Sequence, residues 1–196
     1  MVVYGASYVG TYGGVDLVLL TVSGHPGSGT STLVNGICEI KGWTSLNGGE
    51  VFRTIANERG VSLEEFSVLC DVEPEIDKSL DQRLIKSILD ENGPEIVESR
   101  LCGWWAHQQK IKCIRLWISV SIEERAKRVV KREGGTYNEA ISRIQDRMDS
   151  DQKRYLNLYG ITLEDLEPYN LVIKTDSLSA KEVIDLVASE IEKRGL

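Results

Sequence analysis

The chain has 196 residues, enough for one good hydrophobic core and short for two independent domains. Hydrophobic residues make up 41% and charged residues 27%, the balance of an ordinary globular protein. A net charge of −7 argues against a nucleic-acid binder or a membrane-surface protein, although segment 121–155 runs the other way, with nine Lys/Arg against seven Asp/Glu, and suggests a focused anion site.

Residues 1–14, MVVYGASYVGTYGG, show no period and carry four glycines. They predict an irregular leader over 1–15 ahead of a single domain over 16–196. The leader lacks the Lys/Arg of a signal-peptide n-region, and the apolar run at 17–22 is far below the roughly 20 residues that span a bilayer. A cytoplasmic protein is expected. Cys38, Cys70, Cys102 and Cys113 are widely spaced, form no C-x-x-C pair and have no histidine nearby, so they read as reduced, inert thiols.

The first strand is the run 17–23, and GHPGSGTST follows it at 24–32. Gly24-x-x-x-x-Gly29 is the frame of a phosphate-binding loop. Glycines let backbone N–H groups approach phosphate oxygens, and the helix that follows adds the positive end of its dipole. Strand, loop and helix come in the required order. Gly24, His25, Pro26, Gly27, Ser28, Gly29, Thr30, Ser31 and Thr32 are therefore candidates to hold the phosphates of ATP, with the Ser31 hydroxyl placed for Mg²⁺. The motif normally continues with lysine, but Thr30 stands there. It can donate a hydrogen bond and cannot neutralise charge. Positioning and electrostatic stabilisation are most of what a protein does in phosphoryl transfer, so a cation must come from elsewhere. His25 reads as a tolerated loop residue.

Residues 31–41 predict a helix with Leu33, Val34, Ile37 and Ile40 on one side. Short apolar segments recur at 43–46, 95–98, 114–119 and 171–174, separated by helical stretches. The β-α-β alternation predicts an α/β fold: a P-loop three-layer sandwich around a central, mostly parallel five-stranded sheet. Ser62–Glu65, Ser121–Glu124, Thr136–Glu139 and Ser179–Glu182 each mark a helix start. Helical insertions at about 50–92 and 121–160 are the places for substrate-covering elements. Arg125, Arg128 and Arg132 recur at i, i+3, i+7 and share one helix face; Arg143, Arg147, Asp151 and Arg154 form a second stripe. Such stripes are often solvated faces, but beside a phosphate loop they read as anion clamps. Trp104 and Trp105 read as packing residues.

These features together resemble the nucleoside monophosphate kinases, specifically the archaeal-type cytidylate kinases. The likeness runs from about residue 17 to the C-terminus. It rests on GGEVFR at 48–53, EPEID at 73–77 with LDQR at 80–83, and VESRLCGW at 97–104. It continues through ERAKR at 124–128, KRY at 153–155, YGI at 159–161 and YNLVI at 169–173. The resemblance implies ATP-dependent phosphorylation of CMP and dCMP with Mg²⁺, by a monomer, with no nucleic-acid or membrane partner. It makes the insertion at 50–92 the acceptor-binding element and that at 121–160 the lid. By the same resemblance Arg53 and Arg100 hold the acceptor phosphate, Glu98 lies beside the metal, and Arg83 lies by the acceptor base or phosphate. Arg147, Asp151 and Arg154 form the lid-side set, with Asp151 suited to the acceptor ribose. Arg128 and Arg132 reach the transferring phosphate as the lid closes and cover the lost charge. Gln82 departs from the arginine usual in relatives, whereas threonine at position 30 occurs in some archaeal members. Two other readings are a kinase of another nucleotide or small acceptor, and a non-catalytic nucleotide-binding protein.

Overall fold

Residues 18–196 are described by a computed structural model of the chain; the leader expected over 1–15 lies outside them. Strand β1 (Leu20–Gly24) is buried at every residue and runs into the loop that starts α1 (Thr30–Lys41). Helix α1 buries Leu33, Val34 and Ile37 as the spacing predicts, but Ile40, in its last turn, is 54% exposed. Gly42 ends the helix in the left-handed conformation that glycine adopts at no steric cost, its N–H returning to Cys38 O. Strand β2 (Ser45–Asn47) begins two residues later than the apolar segment 43–46 suggests. Thr44 is instead tied by its N–H and hydroxyl to the Glu95 carboxylate.

Helices α2 (Gly48–Glu58), α3 (Leu63–Val72) and α4 (Pro74–Leu89) separate β2 from β3 (Ile96–Glu98). Then come α5 (Cys102–Gln108), β4 (Ile114–Ser119), α6 (Ile122–Glu133), α7 (Tyr137–Tyr159), β5 (Leu171–Lys174) and α8 (Ala180–Lys193). The sheet order is β2-β3-β1-β4-β5 and every pair is parallel. Consecutive parallel strands need crossovers, and the helices supply them on both faces. Helices α1 and α8 cover one face, packing Leu33, Ile37, Val187 and Ile191 on Leu20, Val22 and Leu116. Helices α4 and α5 cover the other, with Ile88, Leu101 and Trp105 on Val97. Trp105 is core, edge-on to Tyr159 with ring centroids 4.9 Å apart, which bears out packing as its role.

The two insertions have small cores of their own. Phe66, Ala56, Ile76 and Leu80 join α2, α3 and α4, and Ala126, Val129, Ala140 and Ile144 join α6 to α7. Three of the four helix starts carry a reciprocal capping box, at Ser62, Thr136 and Ser179. At Ser121 only half of the box forms: its hydroxyl accepts from Glu124 N–H, but its own N–H goes to Asp176. The Glu124 carboxylate is engaged by Arg128 instead. Among the described residues, no helix is long and apolar enough to cross a membrane.

Strand register decides where the chemistry sits. Val22 and Asn47 both lie opposite Glu98, and Gly24 lies opposite Ile118, so the C-terminal strand ends share one edge. That edge is braced by α5, whose Gly103 lies against the Tyr169 ring. A Cβ on Gly103 would stand 2.3 Å from that ring. Gly103→Ala should therefore destabilise the fold by about 1–3 kcal/mol through overpacking, despite the roughly 1 kcal/mol alanine gains within a helix. Urea unfolding measures it, and an unchanged or raised midpoint would contradict the close packing.

Candidate active site

The loop turns on two glycines. Gly27 and Gly29 have φ of 82° and 88°, the left-handed region where a Cβ is strained. Gly24 is needed for a different reason, since a Cβ there would come within 2.6 Å of Ser28 Oγ. Ser28 closes the turn, its N–H and hydroxyl both donating to His25 O, at 3.1 and 2.8 Å. The β1–β4 register directs the His25 N–H at Ile118 O, while the N–H groups of Gly27 and Gly29 find no acceptor among the described residues. With the N-terminus of α1 they form a nest of donors suited to phosphate oxygens. His25 is more than a tolerated residue. Its Nε2 lies 3.0 Å from Glu164 Oε1 and its ring is edge-on to Trp117. Burial lowers its pKa, and Glu164 works against that shift.

Beside the loop, β3 ends on Glu98, only 8% exposed. Its Oε1 accepts from Thr30 Oγ1 at 2.5 Å and from Ser31 Oγ at 2.9 Å. Its Oε2 accepts from Asn47 Nδ2 at 2.5 Å. Burial pushes the carboxyl up from its ordinary value, and the two hydroxyls oppose the shift. Thr30, in the lysine position, thus uses its hydroxyl on Glu98. Asn47 is a residue the sequence reading missed. Its Oδ1 caps α2 by accepting Glu50 N–H, so one amide joins the start of α2 to the Glu98 cluster. The visible signal was an N-cap residue type directly before Gly48-Gly49.

The arginines divide into groups. Arg100 reaches Asp151 Oδ2 through Nε at 3.0 Å and Gly24 O through Nη1 at 2.9 Å. Arg147 is open to solvent yet crowded: desolvation first, then the charges of Arg100 and Arg53, lower its pKa, with Asp151 opposing. Arg53, Arg100, Arg147 and Asp151 therefore share one electrostatic neighbourhood. Arg128 lies on the loop, donating to Ser28 O at 3.1 Å and Thr175 O at 2.6 Å while pairing with Glu124. Arg125, which the sequence reading gave no separate role, donates to Pro26 O at 3.2 Å.

Other arginines stand apart from the loop. Arg132 is 67% exposed at its side chain and pairs with the adjacent Glu133, because the last turn of α6 runs on past the loop. Arg83 is exposed on α4 and makes no ion pair among the described residues. Arg154 is buried, with Nε 3.2 Å from Asp77 Oδ2 and Nη2 donating to Ser67 Oγ at 3.0 Å. One turn along α4, Asp81 accepts from Tyr159 OH at 2.8 Å. These two contacts fasten α7 to α4. No cluster of three or more His, Cys, Asp or Glu side chains suited to a metal occurs among the described residues.

A model of the cytidylate kinase-like family matches residues 19–177. The chain is 41% identical over 177 residues to a cytidylate kinase of Pyrococcus horikoshii, covering 90% of each. Among solved structures, a gluconokinase from Sinorhizobium meliloti matches 91% of the chain and 94% of its own with a TM-score of 0.59 at 13% identity. A shikimate kinase from Acinetobacter baumannii, in complex with shikimate, matches 92% and 96% with a TM-score of 0.56 at 14% identity. At those identities the likeness to the solved structures is one of fold, that of the P-loop kinases.

The α4–α7 fastening titrates. Burial raises Asp81 from 3.8 to about 6, with the nearby Asp77 charge adding and the Tyr159 hydrogen bond opposing. Because the folded value is the higher one, Asp81 favours folding most below its ordinary value, and that contribution is lost as pH rises through about 6. At pH 7.5 Asp81→Asn should stabilise the protein by about 1–3 kcal/mol, and it should flatten the pH dependence between about 4 and 6. Thermal unfolding across pH measures both. A variant less stable than wild type at pH 7.5 would contradict the reading.

Proposed function

The chain belongs to the cytidylate kinase-like family, and from that premise we propose that it transfers the γ-phosphate of ATP to CMP and dCMP. One juxtaposition carries the proposal. A nest of backbone donors with Ser31 and Glu98 lies at one end of the sheet; beside it Arg100 holds Asp151, with Arg147 and Arg53 in the same electrostatic neighbourhood. The first suits a triphosphate, the second a monophosphate dianion with a sugar attached.

Residues 24–32 cradle the ATP phosphates. Arg53, Arg100 and Arg147 clamp the acceptor phosphate, since guanidinium forks bind phosphate bidentately. Asp151 offers Arg100 one carboxylate oxygen, and its other oxygen is suited to a ribose hydroxyl. Ser31 and Glu98 fit Mg²⁺: one hydroxyl and one carboxylate are hard oxygen donors, and Mg²⁺ takes few protein ligands, leaving the rest to phosphates and water. Bound there, it would neutralise charge between the outer phosphates. Glu98, buried and fixed in place by three side-chain donors, would hold its carboxylate beside the cation. Arg154, fixed to Asp77 and Ser67, holds the acceptor side of α4 against α7. The helices over 50–92 act as the acceptor-binding element and α6–α7 as the lid. Arg83, exposed on α4, and Arg132, exposed on α6, reach nucleotide only if those elements close. The reading includes action as a monomer in the cytoplasm, where free nucleotides are the expected substrates.

Initial rates with a panel of acceptors test the assignment. CMP and dCMP should be phosphorylated at least ten times faster than AMP or dTMP, and equal turnover of AMP would overturn it. Arg53→Ala should raise KM for CMP roughly ten- to a hundred-fold, the worth of a charge-assisted contact, with KM for ATP within about twofold. An ATP KM that moves as far as that for CMP would show that Arg53 does not serve the acceptor.

A further inference from the structure

Arg125 is a buried cation without a carboxylate. It is 3% exposed, and among the described residues it makes no ion pair. Its Nε donates to Val120 O at 3.2 Å, Nη1 to Pro26 O at 3.2 Å, and both Nη atoms lie within 3.3 Å of Met148 Sδ. Burial is the main cause that depresses its pKa; the Glu164 charge opposes that, Arg100 adds to it, and Glu123 opposes it more weakly. A structural arginine that deep is normally paired, because an unpaired buried charge is costly. This one is held against the outer side of the loop. A Cβ on Gly27 would stand 3.3 Å from Arg125 Cβ and 3.2 Å from Val129 Cγ2, so α6 packs directly on that turn.

Arg125 has company in a regular pattern. Arg100 donates to Gly24 O, Arg125 to Pro26 O and Arg128 to Ser28 O. Three guanidinium groups thus hold alternate carbonyls of the loop. Each carbonyl belongs to a planar peptide whose N–H is that of the next residue, here His25, Gly27 and Gly29. The N–H groups of Gly27 and Gly29 find no acceptor among the described residues, whereas the β1–β4 register directs the His25 N–H at Ile118 O. A cation on a carbonyl oxygen fixes the peptide plane and polarises the amide, which makes its N–H a stronger donor. Arg100 and Arg128 also pair with Asp151 and Glu124, so Arg125 brings the least neutralised charge of the three.

We propose that Arg125, with Arg100 and Arg128, is a positioning residue for the polyphosphate of the donor nucleotide, acting through the loop carbonyls in place of the lysine that Thr30 replaces. The charge a lysine would bring among the phosphates comes from behind the loop, transmitted most directly through the peptides whose N–H groups are those of Gly27 and Gly29. The inference rests on the phosphate-loop reading of residues 24–32.

Calorimetric titration of the full-length protein with inorganic tripolyphosphate and with ATP tests it, alongside KM for CMP. Arg125→Gln keeps a donor and removes the charge. It should weaken tripolyphosphate and ATP by similar factors, roughly ten-fold or more, while KM for CMP stays within about twofold. Arg125→Lys restores the charge and should recover most of the loss, which a purely structural arginine would not require. Arg128→Gln, at a part-exposed site, repeats the test at Ser28 should Arg125→Gln fail to fold, with a several-fold loss expected. Wild-type tripolyphosphate affinity in Arg125→Gln, or in Arg128→Gln where it alone folds, would overturn the inference. A shift in CMP KM as large as that for ATP would do the same. Wild-type protein that binds no tripolyphosphate would remove the loop reading itself, and the inference with it.

Discussion

A carboxylate buried at the C-terminal end of β3 needs donors, and those Glu98 finds fix the arrangement around it. Thr30 and Ser31 come from the first turn of α1, and Asn47 comes from the end of β2. The parallel register puts Asn47 and Val22 level with Glu98, so these groups meet without any loop having to reach for them. Replacing the carboxylate would strand three donors at once, and burying it without them would cost several kcal/mol. The same three contacts tie the start of the phosphate loop's helix to the start of α2, which carries Arg53. The two sides of the proposed site are therefore joined through one side chain.

Around that hub the charge is distributed unusually for a phosphate loop. No lysine stands at position 30, and the cations lie in two sets. One, Arg100, Arg125 and Arg128, faces the loop from its carbonyl side. The other, Arg53 and Arg147 with Arg100 shared, is the set proposed to hold the acceptor phosphate. Arg100 touches both, through Gly24 O and Asp151, and stands between them. Electrostatic stabilisation at such a site works best when the donors are already oriented before the substrates arrive. Guanidinium groups locked to backbone carbonyls meet that condition better than a free ammonium on a flexible stem.

Much of this is legible in the sequence because it rests on local rules. Strand, glycine loop and helix read directly from 17–41, and the helix starts at Ser62, Thr136 and Ser179 read from reciprocal caps within four residues. The parallel sheet follows from the alternation of apolar runs and helices. What the sequence does not display is which polar side chain points inward. The spacing of Arg125, Arg128 and Arg132 puts them on one face, yet the first is buried under the loop and the last is in solvent beside Glu133. Arg154 belongs by spacing with Arg147 and Asp151, but its partner, Asp77, is more than seventy residues away on α4. Asn47 shows only as a helix cap, because its contact with Glu98 depends on strand register.

The single-turnover rate of γ-phosphate transfer from ATP to CMP, in wild type and in Thr30→Lys, tests the central claim most directly. If the loop is already charged from behind, wild type should react in the ordinary range for kinases, on the order of 1–100 s⁻¹, and added lysine should change that rate no more than a few-fold. A wild-type rate far below that range, raised a hundred-fold or more by Thr30→Lys, would show that the loop lacks a cation the arginines do not supply.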